Sequence, residues 1–254
     1  KIKKYCDENK IEFLSTAFDI KELEYLVKLG IKRIKIPSGE ITNLPYLEKA
    51  ASFGLPILIS TGMSTLEEVR DAFKILIKSG CVSDDLIFLH CTSNYPASLH
   101  SINLRAMKLI ARELNVKVGY SDHTIENETS IAAVALGAKV IEKHITLNKK
   151  MFGPDHKASM EPSEFKKFVH SIRNVELLLG QKEKKPNNIE IKNSLLVRKS
   201  IVSSCNILKG EKFTSKNLTT KRPGTGLSPM MWYKVIGTKS KKQYLKDEFI
   251  DYDN

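Results

Sequence analysis

No stretch of this chain approaches the roughly eighteen consecutive apolar residues of a membrane-spanning helix, and no secretory signal pattern is present. Cysteine is scarce: Cys6, Cys81, Cys91 and Cys205 stand far apart and form no CxxC pair. In a chain of 254 residues that argues against a disulfide framework and predicts reduced thiols in a cytoplasmic protein. Aromatics are few, 7% of residues with one tryptophan, and they are not interleaved with the lysines. This bears on the net charge of +12. Residues 181–254 hold 16 Lys and Arg against 7 Asp and Glu, while the remaining 25 and 22 nearly balance. A scattered lysine surplus without an RNA-binding motif reads as a solvated basic face suited to anionic substrates, and predicts neither a nucleic-acid nor a membrane partner. An initiating methionine is also lacking. Lys1 opens inside a helix-like run, KIKKYCDENK, so a fragment without its true N-terminus is expected.

What the chain does contain is regular alternation. Six short runs rich in β-branched or apolar residues recur: FLSTAF from Phe13, IKIPSGE from Ile34, ILISTGM from Ile57, IFLHCT from Ile87, VKVGYSDH from Val116 and KVIEKHITL from Lys139. Successive starts lie 21 to 30 residues apart, the length of one strand–helix unit. Segments between them, such as STLEEVRDAFKILIKSG, carry apolar residues at helical spacing. Gly30, Gly54, Gly80 and Gly137 stand at expected helix ends, and Ser64 with Glu67 reads as a capping box. The alternation predicts a parallel α/β sheet, either open and doubly wound or a (β/α)8 barrel with two units upstream of Lys1. Hydroxyls, histidines and carboxylates gather after the strands, which fits the C-terminal face of a barrel. Residues 161–179 predict a further helix with Phe165, Phe168, Val169, Ile172, Val175 and Leu179 on one face. The domains are therefore expected at 1–180, with a polar linker at 181–193 and a small, mostly β domain at 194–254.

The chemistry centres on residues 119–159. His123 and His144 lie 21 residues apart, one strand–helix unit, and so fall on adjacent strand ends. That placement suits two imidazole ligands of one divalent ion, and equally two hydrogen-bonded histidines at a barrel mouth. Asp122 and Glu142 flank them as candidate acceptors for the rings, with the opposite side of its strand as an alternative for Glu142. Thr16, Ser38, Ser60, Thr61, Ser93 and Ser121 recur after successive strands; around Lys35 they offer the several donors and one charge that a phosphate needs. Taken singly, each is equally a helix N-cap. His90 and Cys91 are adjacent in a strand and point apart, which argues against a thiol–imidazole dyad. Asp155, His156 and Ser159 form a polar loop cluster in which His156 has no fixed role.

These motifs together resemble the sialic acid synthase family. The matching runs are FLSTAFD, KIPSGEITNLPYLEK, ISTGMSTLEEV, LHCTSNYP, GYSDHT, EKHITL, GPDHKASMEP, VRKSIV, KGEKF, NLTTKRPGTGLSPMMWY and VIG, in the family's order over nearly the whole chain. The resemblance implies a (β/α)8 barrel joined to a small antifreeze-like (SAF) domain. It implies condensation of phosphoenolpyruvate with N-acetylmannosamine or a related N-acyl hexosamine and water, giving an N-acetylneuraminate-type nonulosonic acid and phosphate. His123 and His144 correspond to metal-binding histidines, usually of Mn²⁺, with Mg²⁺ or Co²⁺ as alternatives. Thr16, Lys35, Ser38, Ser60 and Ser121 correspond to the phosphoenolpyruvate pocket, and Ser93 stands where some members carry asparagine. Tyr95 and Asp155 correspond to sugar contacts, and Glu40 to a buried site carboxylate. Arg222 corresponds to an arginine that the antifreeze-like domain places in the neighbouring barrel, implying a domain-swapped homodimer.

Two departures stand out. Ile145 replaces a common phenylalanine in EKHITL, a conservative packing change. The family's first two strands, with an AEAGxNHNG-like run and a KFQ-like run, have no counterpart, so two barrel units are expected to be missing. An inactive truncated product is accordingly one alternative, and an N,N′-diacetyllegionaminate synthase is another.

Overall fold

The computed structural model describes residues 1–252. They fall into two compact units, Lys1–Gly180 and the residues from Gln181 onward.

In the first unit, α1 (Ile2–Glu8) and α2 (Ile20–Leu29) precede β1 (Ile34–Ile36). Four further pairs follow in strict alternation: α3 (Leu44–Ser52) with β2 (Ile57–Ser60), α4 (Leu66–Lys78) with β3 (Leu86–Cys91), α5 (Arg105–Leu114) with β4 (Lys117–Asp122), and α6 (Glu128–Ala135) with β5 (Ile141–Lys143). The strands pair in sequence order into one parallel five-stranded sheet. The fold is α/β, as the alternation predicts. FLSTAF differs from expectation, because it meets the sheet at a single parallel bridge, Thr16 to Lys35, rather than as a strand. It lies outside β1 and pairs on one side only. KVIEKHITL likewise contributes only the three residues of β5, and Ile145 then bridges to Met160 in a separate rung.

The two sides of the sheet divide by alternation. Ile34, Ile36, Ile57, Ile59, Phe88, Val118 and Tyr120 join the core under the helices. The residues between them, including Lys35, Ser60, Cys91 and Ser121, face the other way. The helix ends are set locally. Asp19 accepts from the Glu22 N–H to start α2, and Gly30 ends it in the left-handed conformation. The capping box of α4 is Thr65 with Glu68, one residue beyond the Ser64–Glu67 expectation. The helix α7 (Pro162–Leu179) buries only Phe168 of its predicted stripe. Its last residues, Leu177, Leu178 and Leu179, are exposed.

In the second unit, the stretch read as a linker is partly helical. Asn187 accepts from Ile189 N and Glu190 N, and with Glu190 it builds a capping box for α8 (Asn188–Val197). The local cap overrides the polar composition. Then β6 (Ser200–Ser203) pairs antiparallel with β7 (Leu218–Lys221), and α9 (Trp232–Val235) follows. Ile201, Ile207, Phe213, Leu218, Val235, Tyr244 and Ile250 form a separate core.

Candidate active site

The polar side chains meet on the helix-free side of the sheet, at the C-terminal ends of its strands. Lys35 of β1 is 7% exposed; its Nζ donates to Ser60 Oγ of β2 at 2.7 Å and lies 3.5 Å from Glu142 Oε2 of β5. Ser121 Oγ of β4 donates to Glu142 Oε1 at 2.7 Å. Glu142 therefore takes the sheet's open side, away from the core. A lysine, two hydroxyls and a carboxylate thus span four strands.

Beside them, Ser38 Oγ accepts from Gly62 N–H at 3.0 Å and lies 3.4 Å from Cys91 Sγ. Any side chain at Gly62 would force its neighbours to move. A Cβ there would sit 2.2 Å from Ser93 Oγ, 2.9 Å from Ser38 Oγ and 3.0 Å from Cys91 Sγ. The absence of that carbon leaves room for the Ser38, Cys91 and Ser93 side chains around Gly62, whose N–H donates to Ser38 Oγ. Thr16 reaches the same region through its bridge to Lys35.

The two imidazoles complete this side. Their ring centroids lie 5.3 Å apart at 84°. Tyr95 packs against both, 4.2 Å from His123 and 5.6 Å from His144. His123 Nδ1 lies 2.7 Å from the Thr92 carbonyl. A carbonyl accepts only, so Nδ1 carries the proton and Nε2 keeps its lone pair. Burial, the dominant influence, pulls the His123 pKa below its ordinary value and favours the neutral ring. His144 Nδ1 stands 3.9 Å from Asp155 Oδ2. Asp155 adopts the left-handed backbone region, in a loop where His156 Nδ1 meets Thr146 Oγ1 at 2.7 Å and Ser159 Oγ donates to the Asp155 carbonyl at 2.8 Å.

Among the described residues no group of three or more His, Cys, Asp and Glu side chains is gathered around a common point for a metal. The imidazole pair nonetheless fits a divalent ion. It offers two donors on adjacent strand ends, one with its tautomer fixed by a carbonyl, and leaves other coordination positions to water or substrate.

Two expected residues stand differently. Glu40 is half-buried, not buried, and its Oε2 accepts from Asn43 Nδ2 at 2.6 Å at the entry to α3. Asp122 does not touch either ring. Its carboxylate accepts from Thr124 and Ser130 on the helix side and pairs with Lys143. Arg222 belongs to the second unit, exposed, with Nε donating to the Val197 carbonyl at 2.9 Å. Sequence reasoning missed Gly62 and Lys143. The second was accessible from alternation, since Lys143 lies between Glu142 and His144, which take the open side.

Comparison with known proteins places this geometry. Residues 1–184 match the NeuB family. The chain is 49% identical over 240 residues to the N,N′-diacetyllegionaminic acid synthase of Campylobacter jejuni, covering 94% of this chain and 72% of that protein. It is 48% identical over 231 residues to the protein of the same name from Legionella pneumophila, covering 90% of this chain and 65% of that protein. Among solved structures, the N-acetylneuraminic acid synthetase of Leptospira borgpetersenii superposes with a TM-score of 0.71 at 33% identity, over 76% of this chain and 66% of that one. The chain thus spans 65% to 72% of the length of these relatives. With the family match running through every strand that carries the polar face, the chain belongs to the NeuB family of sialic acid synthases.

Proposed function

We propose that this protein condenses phosphoenolpyruvate with an N-acyl hexosamine and water, forming a nonulosonic acid and releasing phosphate. The observation that carries this reading is the buried Lys35 ammonium among Ser60, Ser121 and Glu142, on the same side of the sheet as the imidazole pair. A phosphorylated enol carboxylate needs one compensating charge and several donors. Lys35, Ser38, Ser60, Ser93, Ser121, Thr16 and the Gly62 N–H supply them, and Tyr95 and Asp155 lie at the rim for a sugar. His123 and His144 would hold a divalent ion, Mn²⁺ in the first instance, which when bound supplies Lewis-acid polarisation of a carbonyl. The enol carbon attacks the open-chain aldehyde, water adds at the former enol carbon, and the resulting tetrahedral carbon expels phosphate by C–O cleavage. Glu142, 3.5 Å from Lys35 and 2.7 Å from Ser121, is placed to hold or return a proton as the phosphate enters and leaves.

The sugar is favoured by the two relatives at about half identity, both named N,N′-diacetyllegionaminic acid synthases. A hexose bearing two acetamido groups is therefore the first substrate to test, with N-acetylmannosamine second. In the same reading the sheet is part of a (β/α)8 barrel, the second unit is an antifreeze-like domain, and Arg222 reaches a neighbouring barrel in a cytoplasmic homodimer. The test is phosphate release by the full-length protein. It is expected only when phosphoenolpyruvate, one of the two sugars and Mn²⁺ are present together. Release from phosphoenolpyruvate without a sugar, or none with either sugar, would overturn the reading.

A further inference from the structure

The last rung of the β4–β5 ladder joins Asp122 to Lys143. His123 and His144 each stand one residue beyond it, where β4 and β5 no longer pair with each other. Alternation sends Asp122 and Lys143 to the helix side, away from the imidazoles. There Lys143 Nζ lies 3.1 Å from Asp122 Oδ2, and the two side chains are 1% and 0% exposed. The carboxylate is saturated. Ser130 Oγ donates to Oδ2 at 2.6 Å, and Thr124 donates to Oδ1 from its N–H at 2.9 Å and its hydroxyl at 2.8 Å. Lys143 Nζ also donates to the Thr124 carbonyl.

The consequence is geometric. His123 is the middle residue of a turn whose two ends, Asp122 and Thr124, are both held by Lys143. Lys143 is in turn the residue that precedes His144. One ammonium therefore connects the backbone on either side of His123 to the backbone entering His144. On the opposite side, one rung earlier, the Ser121–Glu142 hydrogen bond joins the two strands a second time. The strand ends that carry the imidazoles, whose own carbonyls accept from the Ala97 and Met160 N–H groups at 2.9 Å, are also held from below at two faces.

We propose that the sealed Asp122–Lys143 pair is a positioning element that sets the separation and relative orientation of His123 and His144, and through them the affinity for a divalent ion. This rests on the metal reading of the two histidines given above. Neither residue touches substrate or ion; both act through the turn and strand end they hold. Hydrophobic residues of similar volume can fill the space between sheet and helix, but they cannot hold the Thr124 carbonyl, so packing and positioning are separable.

The experiment uses the full chain with the double variant Asp122→Asn/Lys143→Met, which leaves no unpaired buried charge. Three quantities are read: Mn²⁺ binding by calorimetry without substrates, the visible spectrum of the Co²⁺ form, and the ring-nitrogen NMR signals of His123 and His144 in metal-free protein. The expected result is a folded protein that binds Mn²⁺ about 10–100-fold more weakly, as for other groups supporting metal ligands. Its Co²⁺ spectrum is altered, its imidazole signals are shifted, and kcat falls while KM for phosphoenolpyruvate stays parental. A folded double variant with parental Mn²⁺ affinity and unshifted imidazole signals overturns the proposal. Should the double variant not fold, Ser130→Ala removes one hydrogen bond from Asp122: weaker Mn²⁺ binding then supports the proposal and parental binding overturns it. Should the parent bind no divalent ion, the metal reading falls by itself. The metal-free imidazole signals then decide the positioning role, a shift supporting it and no shift overturning it.

Discussion

On the open side of the sheet Lys35 stands 3.5 Å from Glu142, which is 39% exposed; on the helix side Lys143 stands 3.1 Å from an Asp122 with no exposure. Both are lysine–carboxylate pairs with serine hydroxyls attached, and one member of each, Glu142 and Lys143, sits on neighbouring residues of β5. Burial separates their roles. Glu142 is solvated enough to lose its partner at little cost, so Lys35 is free to turn its charge to an incoming anion. Asp122 and Lys143 have no water to fall back on, and neither can release the other. The open pair suits exchange and the sealed pair suits holding a shape.

The sharpest way to break this comparison is to remove one lysine at a time. Lys143→Met strands the Asp122 charge, and a loss of about 3–5 kcal/mol in urea unfolding is expected. Lys35→Met leaves Glu142 to water, and a change under about 1 kcal/mol is expected. Equal losses would remove the distinction. The same Lys35→Met variant is expected to lower kcat/KM for phosphoenolpyruvate by about 10–100-fold, from the loss of a charged hydrogen bond worth about 1.5–3 kcal/mol. Phosphate-release kinetics read this directly.

A smaller change tests whether the open side is shaped as well as charged. Gly62→Ala places a carbon 2.2 Å from Ser93 Oγ. Overpacking of about 1–3 kcal/mol is expected to surface as a KM for phosphoenolpyruvate raised about tenfold, relieved in part by Ser93→Ala in the same chain. An unchanged KM would show that the pocket yields.

The smallest effect concerns another sealed polar group. Tyr46 is buried with its hydroxyl donating to the Ala17 carbonyl at 2.9 Å, and burial first, then Glu40, pushes its pKa up to about 12. A phenol whose pKa is raised in the folded state contributes stability that is complete below its unfolded value near 10 and is lost as pH rises towards 12. Tyr46→Phe is expected to cost about 1 kcal/mol at neutral pH and to flatten this alkaline limb in pH-dependent melting.

The strand order and the open polar side were largely legible beforehand. Ile34, Ile36, Ile57 and Ile59 alternate with Lys35 and Ser60, and that local period fixes which side each takes. The element limits were less so. FLSTAF carries strand-forming residues yet makes one bridge, because pairing depends on a neighbour and not on composition. The second half of the polar run became helical because Asn187 and Glu190 cap it, a signal four residues long within a charged stretch. Glu40 turned to Asn43, a competing local partner.

Residue order alone therefore established the α/β alternation, the placement of His123 and His144 on adjacent strand ends, and the hydroxyls around Lys35. Each rests on periodicity, which is a property of near neighbours. Tertiary structure decided the partners: Glu142 with Lys35 and Ser121, Asp122 with Lys143, and the crowding of Ser38, Cys91 and Ser93 around Gly62. Those depend on register between strands and on the space left by distant residues, and spacing along a chain carries neither.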